Sequence, residues 1–154
     1  MIYLSLKANH MLSMVLLFGT GLGSAWYKWM ADRSGDVKHI AATNRQVVIA
    51  DWLFTTPTII IQPLTGIGML LLMDIPLTTP WVFWSLVLYF IAGACWLPVV
   101  WLQIKMKDLS ELSRESQSEL PGLYWRYAKL WFWLGVPAFT AMILIVCLMV
   151  FKNG

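Results

Sequence analysis

Four stretches of this chain, residues 2–27, 47–73, 81–104 and 128–151, are apolar over more than the roughly 20 residues that a helix needs to cross a bilayer. In hydrocarbon, every backbone N–H and C=O must find its partner within the protein, so such stretches fold as helices. The sequence therefore predicts an all-α fold, a four-helix transmembrane bundle forming a single integral membrane domain over residues 1–154. Hydrophobic residues make up 59% of the chain and charged residues 12%. The charged share is about half that of a soluble domain, so no soluble domain is expected beside the bundle. Ten tryptophans suit the aromatic belts where membrane meets water.

The net charge of +3 does not point to nucleic acid, because the basic residues flank the spans and form no long run. Residues 28–46 hold Lys28, Arg33, Lys38 and Arg45, and residues 105–127 hold Lys105, Lys107, Arg114 and Arg126, with Lys129 just beyond. The short link 74–80 holds no Lys or Arg. By the positive-inside rule both long connections face the cytoplasm and both termini face outward. These connections read as polar loops, with Leu109, Leu112 and Leu120 able to lay a short helix on the surface. The first span is too long for the apolar region of a signal peptide, and is expected to be retained.

Lys7, Asn9 and His10 lie inside the first span, and His10 is the only histidine in any span. Ionisable groups at such depth are costly and are functional candidates by default. At 1.5 Å rise per residue, His10 lies about 12 Å inside the outer boundary. Lys7, His10, Met14, Leu17 and Gly21 share one helical face, while Asn9 points elsewhere. Gly19 and Gly23 have the small-xxx-small spacing of close helix packing; alternatively, Gly21 leaves room for a flat ligand beside His10.

The second span contains Pro57 and Pro63, which remove the bonds to the carbonyls of Leu53 and Ile59 and predict a kinked helix. Neighbouring threonines are expected to compensate. Pro98 and Pro137 bend the third and fourth spans in the same way. Gln62 falls in the outer layer with His10, about 22 Å from the inner boundary. Asp51 lies near that inner boundary, within reach of Arg45, Arg126 or Lys129, and suits an interfacial ion pair or a proton relay. His39 is expected to be solvated. Cys95 and Cys147 differ in depth by roughly 15 Å, too far for a disulfide. No fingerprint of zinc-protease, P-loop or dinucleotide chemistry is present.

A lone intramembrane histidine suits three roles: a haem ligand, a proton shuttle or a hydrogen bond across the bundle. For haem, His10 is the candidate iron ligand, Lys7 a propionate partner, Met14 a nearby thioether, and Gly21 and Gln62 the space and the polar contact. No second membrane histidine exists within one chain, although a homo-oligomer would supply one.

The segments Leu6-Lys7-Ala8-Asn9-His10, Asp51-Trp52-Leu53-Phe54-Thr55-Thr56-Pro57 and Gln62-Pro63-Leu64-Thr65-Gly66, with the Gly-rich end of the first span, resemble a bacterial family of predicted integral membrane proteins. That family is distantly similar to the HemJ-type membrane protoporphyrinogen oxidase, in which Lys-x-x-His opens the first helix and a Pro and a Gly mark the second. The resemblance implies a bacterial inner-membrane location, haem b, and His10 as its ligand. It also implies a functional lysine in the third span, where residues 81–104 carry no charge. The leading expectation is thus a membrane protein binding haem b or a porphyrin through His10 and acting in electron transfer, its catalytic residues unassigned. The alternative is a cofactor-free accessory subunit packed against a larger membrane partner, and a transporter would require an oligomer.

The charge bias predicts that alkaline phosphatase fused after residue 152 is active outside the cytoplasm, while the same reporter inserted near residue 40 is inactive. The opposite pattern would reverse the topology.

Overall fold

The computed structural model describes residues 1–152, and these contain helices and no strand. The helices are α1 (Ile2–Ser34), α2 (Val37–Ala50), α3 (Thr56–Leu72), α4 (Pro80–Glu115) and α5 (Gly122–Phe151), with a π-helical segment, Asp51–Thr55, joining α2 to α3. Four continuous helical stretches, Ile2–Ser34, Val37–Leu72, Pro80–Glu115 and Gly122–Phe151, are long and apolar enough to span a membrane.

The helices overrun the expected spans. Residues 28–46, expected as a loop, are helical except at Gly35 and Asp36. Gly35 ends α1 in the left-handed conformation (φ 68°), and the Asp36 carboxylate accepts the Lys38 backbone N–H to cap α2. These are ordinary stop and start signals, and they lie eight residues past the end of the apolar run. Residues 105–115 likewise extend α4 instead of forming a separate surface helix. With 33 and 36 residues, α1 and α4 are about 50 Å long, well beyond a hydrocarbon core about 30 Å thick.

The chain divides into two compact units. The first comprises Met1–Ile75 with Ser110–Leu120. In it α1 packs on α2 and α3, and α2 is tied to the end of α4 by Asn44 Nδ2 donating to Ser110 Oγ (3.1 Å) and by Arg45 paired with Glu111 (3.0 Å). Lys28, expected in a polar loop, is fully buried and pairs with Asp32 one turn on (2.7 Å).

The second unit comprises Pro76–Leu109 and the chain from Pro121 onward. Its α4 and α5 run antiparallel. Lys152 lies over the Trp81 ring at one end, and Trp101 meets Tyr127 edge-on at the other, with Lys105 over Trp101. Trp81 and Trp101 are twenty residues apart in one helix, hence about 30 Å apart. Two aromatic belts spaced by the thickness of the hydrocarbon core are what a membrane helix pair requires.

The second span is polar on its buried side. Asp51, Thr55, Thr58, Gln62 and Thr65 recur at intervals of four and three residues, and all are buried. Ile60, Leu64, Ile67 and Leu71 are exposed. In a bilayer this arrangement is favourable, because lipid solvates the apolar face and protein must satisfy the polar one.

The carbonyls facing that side are served by threonines. Thr56 Oγ1 donates to Asp51 O, and Thr58 Oγ1 lies within hydrogen-bond distance of both Phe54 O and Thr55 O. The irregularity required by Pro57 is taken up as the π segment immediately before it, where the Thr56 N–H reaches Asp51 O. Asp51 does not pair with Arg45, which holds Glu111; its carboxylate accepts from Thr55 Oγ1 (2.8 Å).

Replacing Asp32 by Ala leaves the buried Lys28 ammonium without its carboxylate. Loss of one partner of a buried pair costs about 3–5 kcal/mol, and the partial exposure of Asp32 places this case at the low end. Thermal unfolding in detergent should show a clear fall in midpoint for Asp32→Ala and a smaller one for Asp32→Asn. An unchanged midpoint would show that the pair is not structural.

Candidate functional site: the His10 cluster between the first and second spans

His10 projects from α1 toward α3, and two glycines let the helices meet there. A Cβ added at Gly66 would stand 3.3 Å from His10 Cε1, and one at Gly68 would stand 3.2 Å from Leu6 Cδ1. Gly19, Gly21 and Gly23, the small residues singled out in α1, have no neighbour within 4 Å of a built Cβ. The close seam thus forms at the His10 end of α1. Gly21 lies eleven residues, about 16 Å, along the helix from His10 and does not border it.

Four polar groups converge at this seam. His10 Nδ1 lies 2.8 Å from Thr65 Oγ1. Gln62 Nε2 donates to the His10 backbone carbonyl (3.1 Å), and Ser13 Oγ donates to the same oxygen (3.0 Å). Ser13, Gln62 and Thr65 are buried and His10 is half-buried. The expected proximity of Gln62 to His10 is present, though Gln62 grips the backbone and not the imidazole.

The Thr65 hydroxyl holds the ring at Nδ1. It lies 2.7 Å from Ile61 O and 3.2 Å from Gln62 O, both of which only accept. A hydroxyl has one proton to donate and lone pairs to accept with. With that proton given to a backbone carbonyl, the contact with His10 is satisfied when Nδ1–H donates to Oγ1. This assignment, made from the hydrogen-bond network, leaves the lone pair of the neutral imidazole on Nε2. No protein group bonds Nε2 among the described residues.

An iron-binding imidazole needs that combination, one ring nitrogen held by a hydrogen-bond acceptor and the other bare. The residues present therefore fit an axial ligand to haem on the His10 side. Met14, one turn along α1, is half-buried. Lys7, one turn the other way, is exposed and makes no ion pair among the described residues. Asn9 bonds back to Ser5 O (2.9 Å) and leaves the cluster. Among the described residues no three His, Cys, Asp or Glu side chains converge as a metal-binding group. Cys95 and Cys147 are free thiols, as expected, and His39 is exposed.

A family model described as "Predicted integral membrane protein (DUF2269)" matches residues 4–153. The chain belongs to this family. The match spans all four membrane helices, and so every residue of the cluster. No curated protein and no solved structure gave a match.

Ser13, Thr65 and Gly66 are the cluster members that sequence reasoning passed over. The signal for Thr65 was the polar spacing 51, 55, 58, 62, 65, which places it on the same face as Gln62. Gly66 gave no signal by itself, because a glycine shows what it admits only when the opposing side chain is known.

Thr65→Val removes the anchor of the imidazole. Interhelical bonds in membranes average about 0.6 kcal/mol and reach about 1.7. Unfolding of Thr65→Val, His10→Ala and the double variant in detergent should be non-additive by an amount in this range. Gly66→Leu should destabilise the parent more than it destabilises His10→Ala, since its side chain enters the space of the ring. Strict additivity would show that the contact is energetically silent.

Proposed function

We propose that this integral membrane protein binds haem b, or a related porphyrin, through His10 and takes part in membrane electron transfer. The observation that supports this reading most is the contact of His10 Nδ1 with Thr65 Oγ1 (2.8 Å), which leaves Nε2 without a protein partner among the described residues. A haem held there would supply one-electron chemistry. The protein's own part is to orient and to insulate. Thr65 fixes ring rotation and tautomer, Gln62 and Ser13 pin the backbone of His10, and the close approach at Gly66 blocks one edge of the ring. Lys7, exposed one turn away, is the cation available to a propionate, and Met14 is the thioether on the same face. A resemblance to the HemJ-type oxidase would imply the same ligand. The absence of any charge in residues 81–104 argues for haem binding over porphyrinogen oxidation.

A second reading rests on the same bonds. His10, Thr65 and Gln62 tie α1 to α3, which would be a complete role for the histidine in a cofactor-free accessory subunit.

Protein expressed under haem-replete conditions and purified in detergent should show a Soret band. The band should be lost in His10→Ala. Thr65→Val should keep it with affinity about 10–100-fold weaker, the usual effect of removing the partner of a ligating histidine. A colourless protein that co-purifies with one stoichiometric partner would instead establish the accessory role, and a Soret band unchanged in His10→Ala would remove His10 from the site.

A further inference from the structure

A second polar site lies farther along α1, within the first unit and away from His10. A groove of about 260 Å³ runs between α1 and α2, bordered by Gly19 and Gly23 on one side. Five side chains able to hydrogen-bond line it: Thr20, Ser24 and Tyr27 from α1, and Thr43 and Gln46 from α2. None of the five makes a side-chain hydrogen bond among the described residues.

Elsewhere in this protein the short hydroxyl side chains of the membrane helices bond back to the preceding turn. Thr58 reaches Phe54 O (2.9 Å), Ser85 reaches Trp81 O (2.7 Å) and Thr140 reaches Val136 O (2.8 Å). This is the usual behaviour of Ser and Thr inside helices, and the groove residues depart from it. Thr43 is the most telling, because the residue is only 6% exposed and lines the groove, yet its hydroxyl is accessible and has no partner among the described residues.

We propose that this groove binds the head of a neutral membrane-dissolved amphiphile, a carbonyl-bearing group attached to an apolar tail, with Thr43 as its central hydrogen-bond donor. No charged side chain lines the groove, so an ionic head would find no counter-charge there. A volume near 260 Å³ is just below the roughly 300 Å³ at which pockets take whole drug-sized ligands, so it holds a ring or an ester group while the tail stays in the bilayer. The groove reaches Tyr27, beside Trp26 and Trp29, where aromatic residues mark the level of the lipid head groups. A quinone ring and the glycerol ester of an uncharged diacylglycerol share this chemistry. The inference does not depend on haem at His10.

The test is titration of the purified protein in detergent with a short-chain benzoquinone and, separately, with dioleoylglycerol, reading the unfolding midpoint. A ligand that binds the folded protein raises it. One of the two should do so, and which one identifies the source of the carbonyl. Thr43→Val breaks no internal bond, so its unliganded midpoint should match the parent while its affinity falls about three- to tenfold, the worth of one hydrogen bond. Gly23→Leu fills the groove from a position with nothing within 4 Å of its Cβ, and should fold yet lose the response. Failure of both ligands to shift the parent, or parent-like shifts in both variants, would overturn the proposal. So would a dimeric parent that Gly23→Leu makes monomeric, because the groove would then belong to a helix of a second copy.

Discussion

The seam between α1 and α3 depends on one requirement, that polar groups carried into hydrocarbon be satisfied by protein. The second span brings Asp51, Thr55, Thr58, Gln62 and Thr65 into the membrane on a single face. Lipid cannot pair with them, so that face turns inward and the isoleucines and leucines turn out. Once it is inward, α1 supplies what the stripe lacks, the His10 imidazole for Thr65 and the His10 carbonyl for Gln62. Gly66 and Gly68 then admit α1 to contact distance. The costly histidine and the polar helix face each account for the other.

Proline enters through the same requirement. Pro57 cannot donate to the helix ladder, and a straight helix would leave a carbonyl bare in the bilayer. The chain instead widens by one residue into the π segment at Asp51–Thr55, and hydroxyls of Thr56 and Thr58 cover carbonyls there. The result holds the buried stripe in register on both sides of the irregularity. Asp51 is thereby drawn into a bond with Thr55 in its own helix, and Arg45 is left to Glu111.

The hydroxyls on two sides of α1 differ in use. Those of the α1–α3 seam are used, by backbone or by His10. Those between α1 and α2 are unused, although Thr20, Ser24 and Tyr27 lie on the same α1 helix and Thr43, on α2, is almost fully buried. Lipid solvation of the outer faces explains the exposed leucines and tryptophans, as expected of a membrane-embedded chain, but it does not explain idle hydroxyls.

The sequence by itself determined the class of fold, the number of spans and the presence of a costly histidine, because bilayer thickness and backbone pairing leave few alternatives. It also placed Gln62 at the depth of His10, since helical rise is fixed. It misjudged the ends of the helices, because hydropathy reports where the membrane stops and not where the helix does; Gly35 and Asp36 carried that information instead. It expected close packing at Gly19 and Gly23, but close approach occurs at Gly66 and Gly68. Only the tertiary structure decided that His10 Nδ1 meets Thr65 and that Lys28 is buried against Asp32. Such pairings depend on the rotation of one helix against another, or of a side chain about its own helix, and spacing within a single segment does not encode those angles.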